Sequence, residues 1–111
     1  MVLDKKVAEL TVDFLTQINA IKLNTKNPFT WTSGIKSPIY CDNRLVLSYP
    51  KIREFIADSM TYIIKNKYGD DISIAGVATG AIAVGAMISE RLNVPYAVSY
   101  THLTLPTKRI V

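Results

Sequence analysis

Hydrophobic and polar positions form their clearest pattern between residues 71 and 97. The mainly apolar run Ile72–Val77 does not alternate with polar residues, which predicts a central strand buried on both faces of a parallel sheet. A turn of small residues follows it at Thr79-Gly80. The next segment, 81–92, predicts a helix with one apolar face, made of Ala81, Val84, Ile88 and Leu92.

A second strand is predicted directly after this helix. Asn93-Val94-Pro95 ends the helix, and Tyr96-Ala97 begins the strand. Strand, helix and strand then make one βαβ crossover, right-handed by rule, with the helices covering the sheet.

Apolar residues spaced three and four positions apart predict two more helices. The first, from Lys5 to about Asn19, is capped by Asp4 and has an apolar stripe of Val7, Leu10, Phe14 and Ile18. The second has Ser48 as its cap and Pro50 in its first turn, and it ends near Lys67 before Gly69. Its predicted buried face consists of Ile52, Phe55, Ile56, Met60, Ile63 and Ile64.

The segment between these helices predicts a β-hairpin outside the parallel sheet. Ile21–Leu23 is a short extended candidate. Residues 29–32 and 38–41 favour strands, with Ser33-Gly34 as the turn between them and Pro38 at a strand start or an edge. The hairpin is either purely structural or a binding element, because it concentrates groups that recognise flat polar rings: aromatic rings, hydroxyls, Lys36, Asp42 and Arg44.

Composition narrows the functional classes. The chain has 111 residues and a net charge of +4, and Lys108 and Arg109 supply two of its 13 basic residues. No cluster of Lys and Arg precedes them, so we expect no nucleic-acid partner. One cysteine, Cys41, excludes an internal disulfide. No apolar run approaches the roughly 20 residues that a membrane span needs. We expect a cytoplasmic protein with no membrane partner.

The turn after the first parallel strand is a candidate anion site. Backbone N–H groups and the positive end of a helix dipole meet there, and phosphate is the usual anion. The turn lacks the lysine of a Walker loop and the glycine spacing of a dinucleotide fingerprint. Its alternative interpretation is structural, since small residues also let a helix approach a sheet closely.

Two motifs together resemble a known family, the orotate phosphoribosyltransferases. Residues 29–44 (FTWTSGIKSPIYCDNR) resemble the N-terminal hairpin of that family, and residues 76–83 (GVATGAIA) resemble its first phosphoribosyl-pyrophosphate loop. The resemblance covers about residues 1–97. It implies an α/β fold: a truncated phosphoribosyltransferase-type (Rossmann-like) parallel sheet with helices on its faces and an N-terminal helix–hairpin hood.

The resemblance also implies an activity, the transfer of ribose 5-phosphate from phosphoribosyl pyrophosphate to orotate in pyrimidine biosynthesis. Mg²⁺ would arrive on the substrate diphosphate, and the intact enzyme would be a homodimer. The diphosphate would be held by Ala78, Thr79 and Gly80. The orotate side would be formed by Thr32, Ser33, Gly34, Lys36, Tyr40 and Cys41. No residue is assigned a catalytic role, and no residue is assigned to a metal. Some family members have a lysine at the position of Thr32 and an aromatic at that of Cys41, so this chain differs at both.

The last residues depart from the family pattern. Residues 98–111 resemble translated sequencing-adapter read-through, and no helical or strand partner is expected for them. The predicted organisation is therefore a hood at 1–48, the first part of the core at 49–97 and a non-native tail at 98–111. We expect the chain as written to be an inactive fragment. The alternatives are another phosphoribosyltransferase of the purine type and a non-enzymatic nucleotide-binding α/β module.

Overall fold

The computed structural model describes residues 4–100, and the predicted tail lies outside them from residue 101 onward. The chain divides between Tyr49 and Pro50 into two compact units. The elements of the first unit are α1 (Lys5–Gln17), β1 (Ile21–Leu23), β2 (Phe29–Thr30), β3 (Lys36–Ser37), β4 (Ile39–Cys41) and a 3-10 helix (Asn43–Ser48). Those of the second are α2 (Pro50–Tyr68), β5 (Ile74–Val77), α3 (Ile82–Leu92) and β6 (Tyr96–Ser99).

Helix α1 begins where the sequence predicts. The Asp4 carboxylate accepts a hydrogen bond from the Val7 N–H at 3.1 Å, which satisfies one of the free donors of the first turn. Of the predicted apolar stripe, Val7, Phe14 and Ile18 are half-buried and Leu10 is exposed. The first buried residue after this helix in the sequence is Ala20, immediately before β1.

Strand pairing in the first unit differs from the predicted hairpin. The hairpin partner of β2 is β3, with Phe29 opposite Ser37 and Thr30 opposite Lys36. Residues 39–41 instead form β4, which pairs antiparallel with β1. The prediction that residues 29–32 pair with 38–41 is therefore wrong. Pro38 has no N–H to donate, and the chain changes from one ladder to the other at this residue.

The entry into α2 also needs a correction. Pro50 is the first residue of the helix, as expected, but Ser48 ends the 3-10 helix and Tyr49 stands between them. Tyr49 donates its N–H to the Val46 carbonyl at 3.1 Å. Ser48 therefore does not occupy the position directly before the helix, where a capping side chain acts.

The long helix α2 ends as predicted and buries part of the expected face. Gly69 follows it with a φ of 76°, a left-handed conformation that glycine adopts at low cost, and donates its N–H to the Lys65 carbonyl at 2.8 Å. Ile52 is buried, whereas Met60 is 42% exposed. Ala57, which was not in the predicted face, is fully buried.

The predicted βαβ unit is present. β5 and β6 are parallel, with Ile74 opposite Tyr96 and Val77 opposite Ser99, and α3 connects them. Helix α3 packs on β5 and also contacts α2. The strand extends through Val98 and Ser99, so the expectation that residues from 98 onward have no strand partner is wrong for these two.

Burial of β5 on both faces is not observed. Ala75 and Val77 are exposed and only Gly76 is buried. Within residues 4–100, β6 is the one strand that pairs with β5, so this sheet has two strands. A two-stranded sheet with one helix against it leaves the side chains of alternate residues accessible to solvent.

Candidate functional site

The predicted diphosphate turn lies at the carboxyl end of β5. Ala78 donates its N–H to the Ser99 carbonyl at 2.7 Å, which extends the parallel ladder by one residue. The Ala81 N–H then donates to the Val77 carbonyl at 3.1 Å, and the Ile82 N–H to the Thr79 carbonyl at 3.2 Å. The Ala78–Thr79 peptide bond is cis. The three hydrogen bonds fix both ends of the turn and leave its middle open.

Two amides in the middle of this turn have no partner among the described residues. Thr79 and Gly80 are exposed, and their N–H groups find no acceptor within residues 4–100. Helix α3 starts directly afterwards, and its first flanking residue, Ala81, makes no capping hydrogen bond from its side chain. Two such N–H groups beside an uncapped helix start can donate hydrogen bonds to an anion. The Ala78 N–H donates to Ser99, so Ala78 has no free donor for a diphosphate, and its assignment to the diphosphate stays a prediction.

The glycines around the turn show where small residues serve close packing of helix and sheet and where they could instead leave room for an anion. A methyl group at Gly76 would collide with the Tyr96 hydroxyl and lie 2.8 Å from the Ala81 carbonyl oxygen. One at Gly85 would lie 2.9 Å from Tyr96 Cε1. Both glycines therefore serve packing, since the Tyr96 ring fits against them and donates its O–H to the Ile82 carbonyl at 2.7 Å. A methyl group at Gly80 would meet nothing within 4 Å. Local packing does not require a glycine at position 80.

A pocket of about 700 Å³ lies in the first unit, beside the β2–β3 turn. It contains four of the six residues predicted for the orotate side, namely Thr32, Ser33, Tyr40 and Cys41. Sequence reasoning missed its other lining residues, Thr30, Trp31 and Ile39. The available signal was their position in the sequence, since Thr30 and Trp31 directly precede Thr32 and Ile39 directly precedes Tyr40.

Gly34 and Lys36 do not line this pocket. Gly34 has a φ of 88° and forms the turn, donating its N–H to the Trp31 carbonyl at 2.8 Å. Lys36 is exposed on β3 opposite Thr30. Their assignment to orotate stays a prediction, as do those of the other named residues.

The wall of the pocket has an aromatic side and a polar side. Tyr40 lines the aromatic side. Its ring lies 5.7 Å between centroids from that of Phe29, which is half-buried and does not line the pocket, and the two rings are tilted by 40°. The Cys41 thiol donates to the Asn43 side-chain oxygen at 3.1 Å, and Cys41 is exposed. An exposed aromatic face next to hydroxyl groups suits a planar ring that carries polar substituents.

Asp42 fixes the chain immediately after the pocket. Its carboxylate accepts from the Arg44 N–H at 3.1 Å and from the Arg44 Nε at 2.9 Å. The side-chain hydrogen bond from Arg44 is the main cause that lowers the pKa of Asp42, and the same pair raises the pKa of Arg44. Asp42 is thus both the cap of the 3-10 helix and half of an ion pair.

Replacing Asp42 with asparagine should lower the melting temperature at neutral pH by a small amount. Asparagine can still cap the helix but loses the charge. Because the folded pKa lies below the ordinary value of 3.8, the stabilisation is present above pH 3.8 and disappears as pH falls through the folded pKa. Melting curves of both proteins from pH 7 to pH 2.5 should therefore converge at the acid end. A difference that stays constant with pH would contradict this role of the charge.

Described residues offer no protein-held metal site and no membrane helix. Residues 4–100 contain no group of three His, Cys, Asp or Glu side chains able to hold a metal ion. No helix in this part of the chain is both long enough and apolar enough to cross a bilayer.

Curated relatives are identical to this chain at about half of the aligned positions. The chain is 51% identical over 92 residues to the orotate phosphoribosyltransferase of Phocaeicola vulgatus and 48% identical over 95 residues to that of Listeria innocua. These alignments cover 83% and 86% of this chain, but only 43% and 44% of the relatives. No family model matches.

Solved structures of related folds also match this chain. Orotate phosphoribosyltransferase from Aeropyrum pernix has a TM-score of 0.68 at 21% identity, covering 90% of this chain and 55% of its own. Leishmania donovani UMP synthase has a TM-score of 0.65 at 27% identity, with 86% of this chain and 20% of its own covered. Adenine phosphoribosyltransferase from Trypanosoma brucei has a TM-score of 0.59 at 16% identity and covers 95% of this chain and 42% of its own. The chain therefore has a phosphoribosyltransferase fold and resembles the curated orotate phosphoribosyltransferases over less than half of their length.

Proposed function

We propose that this chain is part of an orotate phosphoribosyltransferase, which transfers ribose 5-phosphate from phosphoribosyl pyrophosphate to orotate and yields orotidine 5′-monophosphate and pyrophosphate. The observation that carries the proposal is the identity of about half of the aligned residues with curated members of that family. Similarity in fold alone would not distinguish it from an adenine enzyme, because that fold matches too.

The turn at 78–80 is our candidate for the diphosphate. The transition state of the transfer resembles an oxocarbenium ion, so the protein mainly positions the two reactants and stabilises the departing charge. Free N–H groups of Thr79 and Gly80 suit that task because they are fixed donors that need no side-chain reorganisation. The Thr79 hydroxyl adds a further donor at the same exposed turn.

The hairpin pocket is our candidate for orotate. Tyr40 offers a ring face, and Thr32 and Ser33 offer hydroxyl groups that can bond the polar edge of a pyrimidine. Lys36 would add charge from the neighbouring strand.

Mg²⁺, the dimer and the cellular location belong to the same proposal. The donor set of residues 4–100 does not fit a resident metal, so we infer that Mg²⁺ enters with the substrate diphosphate. A homodimer in the cytoplasm is the expected setting of the enzyme. The prediction that the 111-residue chain turns over little or no substrate stays open to a coupled assay for orotidine monophosphate.

Isothermal titration calorimetry on the whole chain tests the proposal. Orotate and Mg²⁺–phosphoribosyl pyrophosphate should each bind, whereas adenine should not. Adenine binding without orotate binding would favour the purine-type alternative. Binding of neither substrate would contradict the proposed role of both sites.

Replacing Tyr40 with alanine should weaken orotate binding by about 5- to 150-fold, since stacking of a base on an aromatic ring contributes about 1–3 kcal/mol. Calorimetry with orotate measures the change. A suitable control is Tyr62→Ala, because Tyr62 is 66% exposed on α2, in the other unit. Equal orotate affinity in the two variants would remove Tyr40 from the site.

A further inference from the structure

The two walls of the hairpin pocket belong to separate β-ladders. Thr32 and Ser33 lie in the turn that joins β2 to β3, whereas Tyr40 and Cys41 lie on β4, which pairs with β1. No backbone ladder joins these two strand pairs among the described residues. The chain joins the two ladders at Pro38, and away from this connection the spacing of the pocket walls depends on side chains that link one ladder to the other.

One edge of β4 carries backbone groups that the ladder does not use. The Asn24 N–H donates to the Pro38 carbonyl at 2.7 Å, and the Asp42 N–H donates to the Ala20 carbonyl at 2.8 Å. Bonded and non-bonded pairs alternate in an antiparallel ladder. Ile39, opposite Leu23, therefore directs its own N–H and carbonyl away from β1.

Side chains satisfy both of these groups. The Ile39 N–H donates to the Ser37 hydroxyl at 3.1 Å. The Ile39 carbonyl accepts the indole N–H of Trp31 at 3.0 Å. The Trp31 backbone is itself part of the opposite turn, because its N–H donates to the Ile35 carbonyl at 2.8 Å and its carbonyl accepts from Gly34. Trp31 thus belongs to the turn through its backbone and to β4 through its side chain.

We propose that Trp31 is a positioning residue for the pyrimidine ring: its indole N–H holds β4 against the 31–34 turn and so fixes Tyr40 at its distance from Thr32. This inference rests on the proposed function, because it assumes that the pocket takes orotate. Trp31 acts through Ile39, and the bond spans eight residues of sequence that cross from one ladder to the other. Without it, an unpaired carbonyl remains at the edge of the strand that carries Tyr40.

Two variants remove the N–H while keeping a large apolar side chain. In Trp31→Phe the ring is smaller, and in the benzothienylalanine analogue at position 31 a sulfur replaces the N–H at nearly unchanged shape. Both should raise the dissociation constant for orotate about three- to tenfold, the size of one hydrogen bond. The dissociation constant for Mg²⁺–phosphoribosyl pyrophosphate should not change. Calorimetry on the whole chain measures both.

The outcomes distinguish this inference from the proposed function. If the unmodified chain binds no orotate, the proposed function fails and the positioning role fails with it. If the unmodified chain binds orotate and both variants bind it equally well, the positioning role alone is overturned. If Trp31→Phe weakens binding but the benzothienylalanine analogue does not, the ring and not the N–H is responsible, which also overturns it.

A second measurement needs no ligand. The chain contains one tryptophan, so its indole N–H gives a single ¹⁵N-correlated resonance. The bond to Ile39 should slow exchange of this proton with solvent at least about tenfold relative to the chain in urea. An exchange rate equal to that of the unfolded chain would overturn the proposed link between Trp31 and β4.

Discussion

Replacing Gly80 with valine should abolish measurable binding of Mg²⁺–phosphoribosyl pyrophosphate while leaving the free energy of unfolding within about 0.5 kcal/mol. A Cβ atom at position 80 meets nothing within 4 Å and the residue has no positive φ, so we expect the fold to accept a side chain there. A diphosphate bound by the Thr79 and Gly80 amides would collide with the branched side chain. Calorimetry measures the binding and urea denaturation measures the stability.

A matched control is Ala86→Val, which also adds methyl groups at an exposed position of the second unit, on α3. It should bind the diphosphate substrate like the unmodified chain. If Gly80→Val bound the substrate with unchanged affinity, the amides of this turn would not be the diphosphate site. If instead it unfolded the protein, the fold would require a glycine at position 80, which contradicts the expectation that a side chain fits there.

Replacing Gly76 with alanine should destabilise the second unit by about 1–3 kcal/mol, as overpacking of a tight contact does. The added methyl would press on the Tyr96 hydroxyl and on the Ala81 carbonyl oxygen, and the latter belongs to the backbone. Displacing Tyr96 also weakens its hydrogen bond to the Ile82 carbonyl at the start of α3. Urea denaturation followed by circular dichroism measures the loss.

Gly80→Ala is the control for this substitution, because it adds the same methyl group to open space. The double variant Gly76→Ala with Tyr96→Phe should lose less stability than the sum of the two single variants, since phenylalanine removes the colliding hydroxyl. Equal stability of Gly76→Ala and the unmodified chain would show that the contact between β5 and Tyr96 is loose.

Much of the second unit could be predicted from the sequence because its signals are local. Pro50 at a helix start, Gly69 at a helix end and Asn93 before Pro95 mark boundaries through their own backbone preferences, and the structure has helices beginning or ending at each. The parallel pairing of β5 and β6 follows from the helix between them, which leaves room for a crossover connection.

The hairpin could be predicted only in part, because strand pairing is not a local property. Residues 29–41 do form strands and a turn, but their β propensity does not say that β4 pairs with β1. The competing pairing depends on Pro38 interrupting the ladder and on the Asn24 and Asp42 backbone bonds that align β4. β propensity alone therefore assigned Tyr40 to the hairpin ladder, whereas it pairs with Lys22 of β1. The expectation that Tyr40 and Thr32 lie close together is confirmed, because both line the same pocket.

By itself the sequence determined where the helices lie, apart from the Ser48 cap, and also the βαβ order and the turn at Thr79–Gly80. Capping residues, apolar spacing and small residues act within a few positions, so these features are local. The tertiary structure alone decided which glycines serve packing. The side chain that crowds them belongs to Tyr96, which is 20 residues after Gly76 in the sequence. The tertiary structure alone also joined Trp31 to Ile39, because that hydrogen bond forms only once two separate ladders lie side by side.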